Sequence, residues 1–220
     1  MRQLRIVFLG AERVGKTSII KQFLYGSFQE VTESTLGNSY NETICLPNGL
    51  FQQVQIIDTS GSNEFPAMRD VSIRNGDYFV VMYAVDNPQS FDQAHTLVQK
   101  VKDIKGKDFS RIILVGNKID KTSARQVTTE EVLKKSVTEE MLCFTETSAK
   151  LNCNIRCLFQ IILRNYVKSD DLYFKKKNRK ISKCKVKSIT GSCFKAKKTS
   201  VQNLVYSLYT KNKYLHVCPA

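Results

Sequence analysis

Gly10-Ala11-Glu12-Arg13-Val14-Gly15-Lys16-Thr17 and Asn117-Lys118-Ile119-Asp120 are the segments of this chain whose residue types and spacing could do chemistry. The first matches the phosphate-loop pattern, in which backbone N–H groups of a glycine-rich turn and a helix N-terminus surround phosphate oxygens. Lys16 adds a point charge there, and the Thr17 hydroxyl is the expected Mg²⁺ ligand. The second segment supplies base selectivity: the Asp120 carboxylate can accept from both the ring N–H and the exocyclic amine of guanine, and adenine offers neither at those positions. Sites built to hydrogen-bond a group reject analogues lacking it by on the order of 10⁴-fold, so GTP or GDP is the expected nucleotide. The phosphate loop alone would also suit a kinase or an ATPase. Asn117 to Asp120 disfavours both.

These motifs need a scaffold that brings segments a hundred residues apart together. From Leu4 to Lys168 short apolar runs alternate with amphipathic stretches, the pattern of an α/β domain with a mostly parallel sheet under helices. Leu4 to Leu9, Val54 to Ile57, Tyr78 to Val85, Ile112 to Val115 and Leu142 to Phe144 read as strands, and Leu36 to Cys45 as an edge strand. Helices are expected around Ile19, Ile20, Phe23 and Leu24, over Phe91 to Val101, and on the stripe Ile155, Leu158, Phe159, Ile162 and Tyr166. Two further motifs, Asp58-Thr59-Ser60-Gly61 and Glu146-Thr147-Ser148-Ala149-Lys150, join the first two at the carboxyl ends of expected strands. Ligands bind at that end of open α/β sheets.

The order and spacing of these four motifs resemble the Ras superfamily of small GTPases over about residues 4 to 168. Asp58 to Met68, with Glu146 to Asn152, is most similar to the Di-Ras and Dexras/Rhes branch. The resemblance implies a three-layer P-loop NTPase fold, a Ras-like G domain with a six-stranded sheet and helices on both faces. It also implies site roles. Gly10, Glu12, Arg13, Val14, Gly15, Lys16 and Thr17 would line the phosphates, Asp58 would sit at the Mg²⁺ shell, and the Gly61 amide would meet the γ-phosphate. Thr35 would join Thr17 on Mg²⁺, and Phe28 would lie against the base. Asn117, Lys118, Asp120, Ser148, Ala149 and Lys150 would surround the guanine, with Lys118 along its ring. Because Thr35 and Gly61 would hold their loops only while GTP is intact, residues 26–40 and 59–75 are the expected switch loops. Effectors and exchange factors would read those loops, with Gly26, Gly37, Gly61 and Gly76 supplying backbone freedom.

The chain departs from that pattern in three places. Ser62 stands where most relatives carry glutamine to orient the attacking water, so GTP hydrolysis to GDP and phosphate should be slow. Ser62 is the only catalytic candidate, with Asn63 as a weaker substitute. Glu12 replaces a glycine, placing a carboxylate near the transferring phosphoryl group and in the path of an arginine finger. Thr32 to Asn38 keeps the threonine but lacks the preceding proline and the two following acidic residues, which shifts effector choice away from basic domains. The readings are therefore a weakly hydrolysing switch or, alternatively, a permanently GTP-loaded interaction protein.

Composition sets the remaining bounds. With 220 residues, 42% of them hydrophobic, there is material for one domain over residues 1–168 and a tail over 169–220. No run approaches the roughly 18 apolar residues of a membrane span, and Met1 to Leu4 leads into a strand without a signal peptide, so a cytoplasmic protein is expected. Seven cysteines without framework spacing suit reduced thiols. The formal charge of +14 is concentrated in the tail, which holds 13 Lys and Arg against Asp170 and Asp171. Such a tract, largely disordered, fits an anionic membrane at the inner face of the plasma membrane, with Cys184 or Cys193 as a lipidation site. Nucleic acid is the weaker partner, and a solvated tail remains open. Cys218 is third from the end of the sequence, so prenylation is not expected. A monomer is expected.

Overall fold

The computed structural model describes residues 3–30, 35–46, 49–62, 66–138 and 143–168. Six strands form one sheet in the order β2-β3-β1-β4-β5-β6: β1 (Leu4–Gly10), β2 (Gly37–Cys45), β3 (Phe51–Thr59), β4 (Tyr78–Ala84), β5 (Ile112–Asn117) and β6 (Cys143–Glu146). β2 pairs antiparallel with β3, and every other pairing is parallel. The parallel strands β4 and β5 are buried at every residue, which is why they read as unbroken apolar runs. β2 alternates weakly and is exposed at most positions, as an edge strand must be.

Helices cover both faces. One core joins Ile6, Phe8, Val54, Ile56 and Val80 to Ile19 and Ile20 of α1 (Lys16–Tyr25) and to Ile155, Leu158, Phe159 and Ile162 of α5, over 155–168. Phe23 stacks on Phe159 there, with ring centroids 3.5 Å apart. The opposite core joins Val7, Leu9, Phe79 and Val81 to α2 (Pro66–Asn75), α3 (Pro88–Lys105) and α4 (Thr129–Thr138) through Ile73, Phe91, Ala94, Val98, Val101 and Val132. Asn87 caps α3 by accepting the Ser90 N–H at 3.0 Å, and Pro88 opens its first turn.

Two expectations are corrected. Residues 59–75 are not loop throughout, because α2 occupies Pro66–Asn75. Only Ile73 of that helix is buried, so no apolar stripe announces it. Gly76 is a packing position: a Cβ there would come within 2.6 Å of Val7 and 2.8 Å of Phe79. Leu142, Thr32 to Ser34, Asn63 and the whole tail from 169 lie outside the described residues.

Candidate functional site

β1 lies between β3 and β4, where the order of the chain through the sheet reverses, and the phosphate loop follows its carboxyl end. Close packing shapes that loop. A Cβ on Gly10 would lie 2.3 Å from the Met82 carbonyl oxygen, and one on Gly15 would lie 2.2 Å from Asn117 Nδ2. Gly15 adopts φ 95° as the N-cap of α1 and offers no side chain, so the first-turn N–H groups are left to a ligand. Gly61 approaches the same loop from the other side, where a Cβ would be 2.4 Å from the Glu12 nitrogen. The resulting cleft is lined by Glu12, Arg13, Lys16, Thr17, Ser60 and Gly61, among others.

Lys16 reaches under the loop, donating to the carbonyls of Gly10 at 2.9 Å and Ala11 at 2.8 Å. Burial pushes its ammonium down to about 8, against the raising influence of the Asp58 and Glu12 carboxylates. On that value most Lys16 side chains in the nucleotide-free protein should be neutral at pH 8.5. A polyphosphate favours the charged form, so affinity should fall as pH rises above 8 and binding should take up protons there. Calorimetric titration with GDP at pH 8.5 in buffers of different ionisation enthalpy should show uptake approaching one proton, and almost none at pH 7. Identical heats at pH 8.5 would contradict this placement of Lys16.

Beside Lys16, three oxygens converge. Thr17 Oγ1 donates to Asp58 Oδ2 at 2.6 Å and lies 2.9 Å from Thr35 Oγ1. Asp58 is fully buried, and its Oδ1 has no hydrogen-bond partner among the described residues. Burial raises its pKa, opposed by the Thr17 hydrogen bond and the Lys16 charge. A buried carboxylate oxygen without a donor is costly unless a cation meets it. The oxygen-only donor set fits a hard divalent ion such as Mg²⁺.

The base-side motifs are tied to the phosphate loop by Asn117. Its Nδ2 donates to the Val14 carbonyl at 2.8 Å, and its Oδ1 accepts from the Ala149 N–H and the Thr147 hydroxyl, both at 3.3 Å. The Ser148 hydroxyl donates to Asp120 Oδ1 while accepting the Leu151 N–H at 3.0 Å, which fixes the carboxylate from the neighbouring motif. Lys118 is half-buried near Asp86, and burial lowers its pKa despite that carboxylate. Phe28 is 37% exposed at the rim, and Lys150 forms a solvated ion pair with Glu30 at 3.4 Å. Among the described residues, the four non-glycine residues with positive φ are Arg13, Lys118, Asn152 and Asn154. All four lie in or beside these motifs, as backbone strain at ligand sites does.

Sequence reasoning missed two supports. Arg125 forks onto Glu146 at 2.8 and 3.0 Å, and Asn154 donates to the Glu146 carbonyl at 2.8 Å, so the two hold the end of β6 where the 146–150 loop begins. No local spacing joins Arg125 to Glu146. The second is Ser60, which lines the cleft where Ser62 does not. The two hydroxyls are 3.0 Å apart, and Arg69 holds the Ser62 carbonyl at 2.6 Å. Glu12 is exposed at the cleft, and no contact with Arg13 neutralises it among those described.

Residues 5–168 match the Ras family. The GTP-binding protein drn-1 of Caenorhabditis elegans is 40% identical over 162 residues, covering 72% of this chain and 73% of the relative. The GTP-binding protein Di-Ras1 of Mus musculus is 38% identical over 161 residues, covering 72% and 79%. The GTP-binding protein Di-Ras2 of Macaca fascicularis is 37% identical with the same coverage.

Proposed function

This chain belongs to the Ras family, and from that premise we propose that it is a guanine-nucleotide-dependent signalling switch with weak intrinsic GTP hydrolysis. The observation that carries the reading is the convergence of Thr17, Thr35 and Asp58, whose buried Oδ1 has no partner among the described residues. Thr17 belongs to the phosphate loop, Asp58 to the end of β3, and Thr35 to the segment before β2. These residues would hold Mg²⁺, which neutralises phosphate charge when bound. Lys16 and the first-turn N–H groups of α1 would bind phosphate oxygens, and Asp120 would select guanine. Thr35 and Gly61 then couple their segments to whether a γ-phosphate is present.

The segments that would carry that state to a partner expose apolar side chains. Leu36 is 71% exposed and Met68 and Val71 more than half exposed, while Gly37 and Asn38 put no acid on β2. Effector and exchange-factor proteins would meet this surface, and basic effector domains would be poor partners. The tail's excess of cations supports a peripheral position on an anionic membrane at the inner face of the plasma membrane.

Hydrogen exchange separates a switch from a static binder. Amides of 35–45 and 59–75 should exchange more slowly with a non-hydrolysable GTP analogue than with GDP, while β4 and β5 remain unchanged. Equal exchange in both complexes would sink the switch reading.

A further inference from the structure

We propose that Asp86, which lies outside all four motifs, is a positioning residue of the guanine site: its carboxylate holds the Lys118 ammonium beside the base and keeps it off Asp120. The inference deepens the guanine-nucleotide reading and rests on it. Asp86 follows β4, and the backbone on either side of it is pinned. The Val85 N–H donates to the Asn117 carbonyl at 3.0 Å, and the Val85 carbonyl accepts from the Gln126 and Val127 N–H groups at 2.9 and 3.1 Å. The Asn87 N–H donates to the Ala84 carbonyl at 3.0 Å before Asn87 caps α3. The carboxylate is thereby fixed against the turn that carries Lys118 and Lys121, itself closed by the Lys121 N–H on the Lys118 carbonyl at 3.0 Å.

The two oxygens of that carboxylate are used unequally. Oδ2 accepts from Lys121 Nζ at 2.7 Å. Oδ1 is buried, makes no hydrogen bond among the described residues, and lies 3.8 Å from Lys118 Nζ. Only 15% of the Asp86 side chain and 28% of the Lys118 side chain are exposed, against 50% for Lys121. Burial would raise the Asp86 pKa, but the Lys121 hydrogen bond and the two lysine charges outweigh it, so the carboxyl is held below its usual range and stays ionised. A buried oxygen without a donor is costly, and the Lys118 ammonium is placed to meet it. The Lys121 pair is nearer solvent, where an ion pair contributes little.

Lys118 stands between two carboxylates. Burial disfavours its charged form and Lys121 repels it, while Asp86 and, more weakly, Asp120 favour the charge. The two acids have different work. Asp120 must keep acceptor capacity for guanine, and the Ser148 hydroxyl already occupies one of its oxygens. With Asp86 neutral, Asp120 is the carboxylate left to Lys118, and an ion pair there competes with the base.

Stopped-flow release of fluorescent GDP from the full-length chain, chased with unlabelled GDP, tests this. Asp86→Asn keeps the shape, removes the charge and should accelerate release at least about threefold, the scale of coupling between neighbouring groups. In a Lys118→Met background the same substitution should change release by less than about twofold, because the group it acts through is gone. Lys121→Met should not accelerate release, since it leaves Asp86 to Lys118 alone. Equal release from the native chain and Asp86→Asn would overturn the proposal. Acceleration that persists in the Lys118→Met background would overturn it too, marking Asp86 as a support of the fold. Faster release from Lys121→Met would do the same, and that arm decides the matter if a thermal melt shows Asp86→Asn to be unfolded. A native chain that binds no GDP would overturn the guanine reading together with this inference, whereas native binding with release indifferent to Asp86 would overturn this inference alone.

Discussion

Asp120→Ala should lower GTP affinity by about three to four orders of magnitude and abolish discrimination against ATP, leaving the fold intact. Sites that hydrogen-bond a substrate group discriminate on this scale because the competitor leaves a polar group unpaired. Asp120 is half-buried at the end of β5 and held by the Ser148 hydroxyl, so its orientation is fixed before a ligand arrives. Its removal should not loosen the sheet, since the Asn117 contacts to Val14, Ala149 and Thr147 remain. Fluorescent-GTP titration with ATP competition would read both effects, with a thermal melt as the control for folding. Unchanged GTP affinity in a folded variant would refute the guanine assignment and return a kinase or ATPase to consideration.

The parts of this molecule that can be read from the sequence are those encoded locally. Gly15-Lys16-Thr17 specifies both a left-handed turn and the start of α1, and the burial of β4 and β5 shows as unbroken apolar runs. α2 escaped notice because Pro66, Ala67 and Met68 are exposed and only Ile73 faces the core. α4 did carry a start signal: the Thr128 hydroxyl accepts the Glu131 N–H at 3.3 Å in a Thr-x-x-Glu pattern. Among its described side chains Val132 alone is buried, which gives too little periodicity to support that signal. The site divides in the same way. Lys16, Asn117 and Asp120 belong to contiguous motifs, whereas the Arg125 fork onto Glu146 joins residues 21 apart through tertiary structure alone. Ser60 needed the fold, because only the approach of Gly61 to the Glu12 backbone shows which hydroxyl after Asp58 borders the cleft.

That approach makes the second large effect specific. Ser62→Gln should raise the single-turnover rate of γ-phosphate release from the full chain by about tenfold or more, a gain of about 1.4 kcal/mol in transition-state stabilisation. The Ser62 hydroxyl is engaged with Ser60 and its carbonyl is held by Arg69, so the native side chain is both too short and turned to a neighbour. A glutamine amide is longer and could orient the attacking water, as the family glutamine does. Glu12→Gly should change the unaided rate less, because Glu12 is exposed and solvent screens its charge. Its larger consequence should be sensitivity to an activating protein, since the carboxylate lies where an arginine would enter. A native rate near zero that rises in Ser62→Gln would mean that the switch spends most of its time loaded with GTP and is governed by exchange. A native rate equal to that of the variant would show that another group positions the water. Ser60, the hydroxyl at the cleft, would then be the residue to change next, and the account of Ser62 would be wrong.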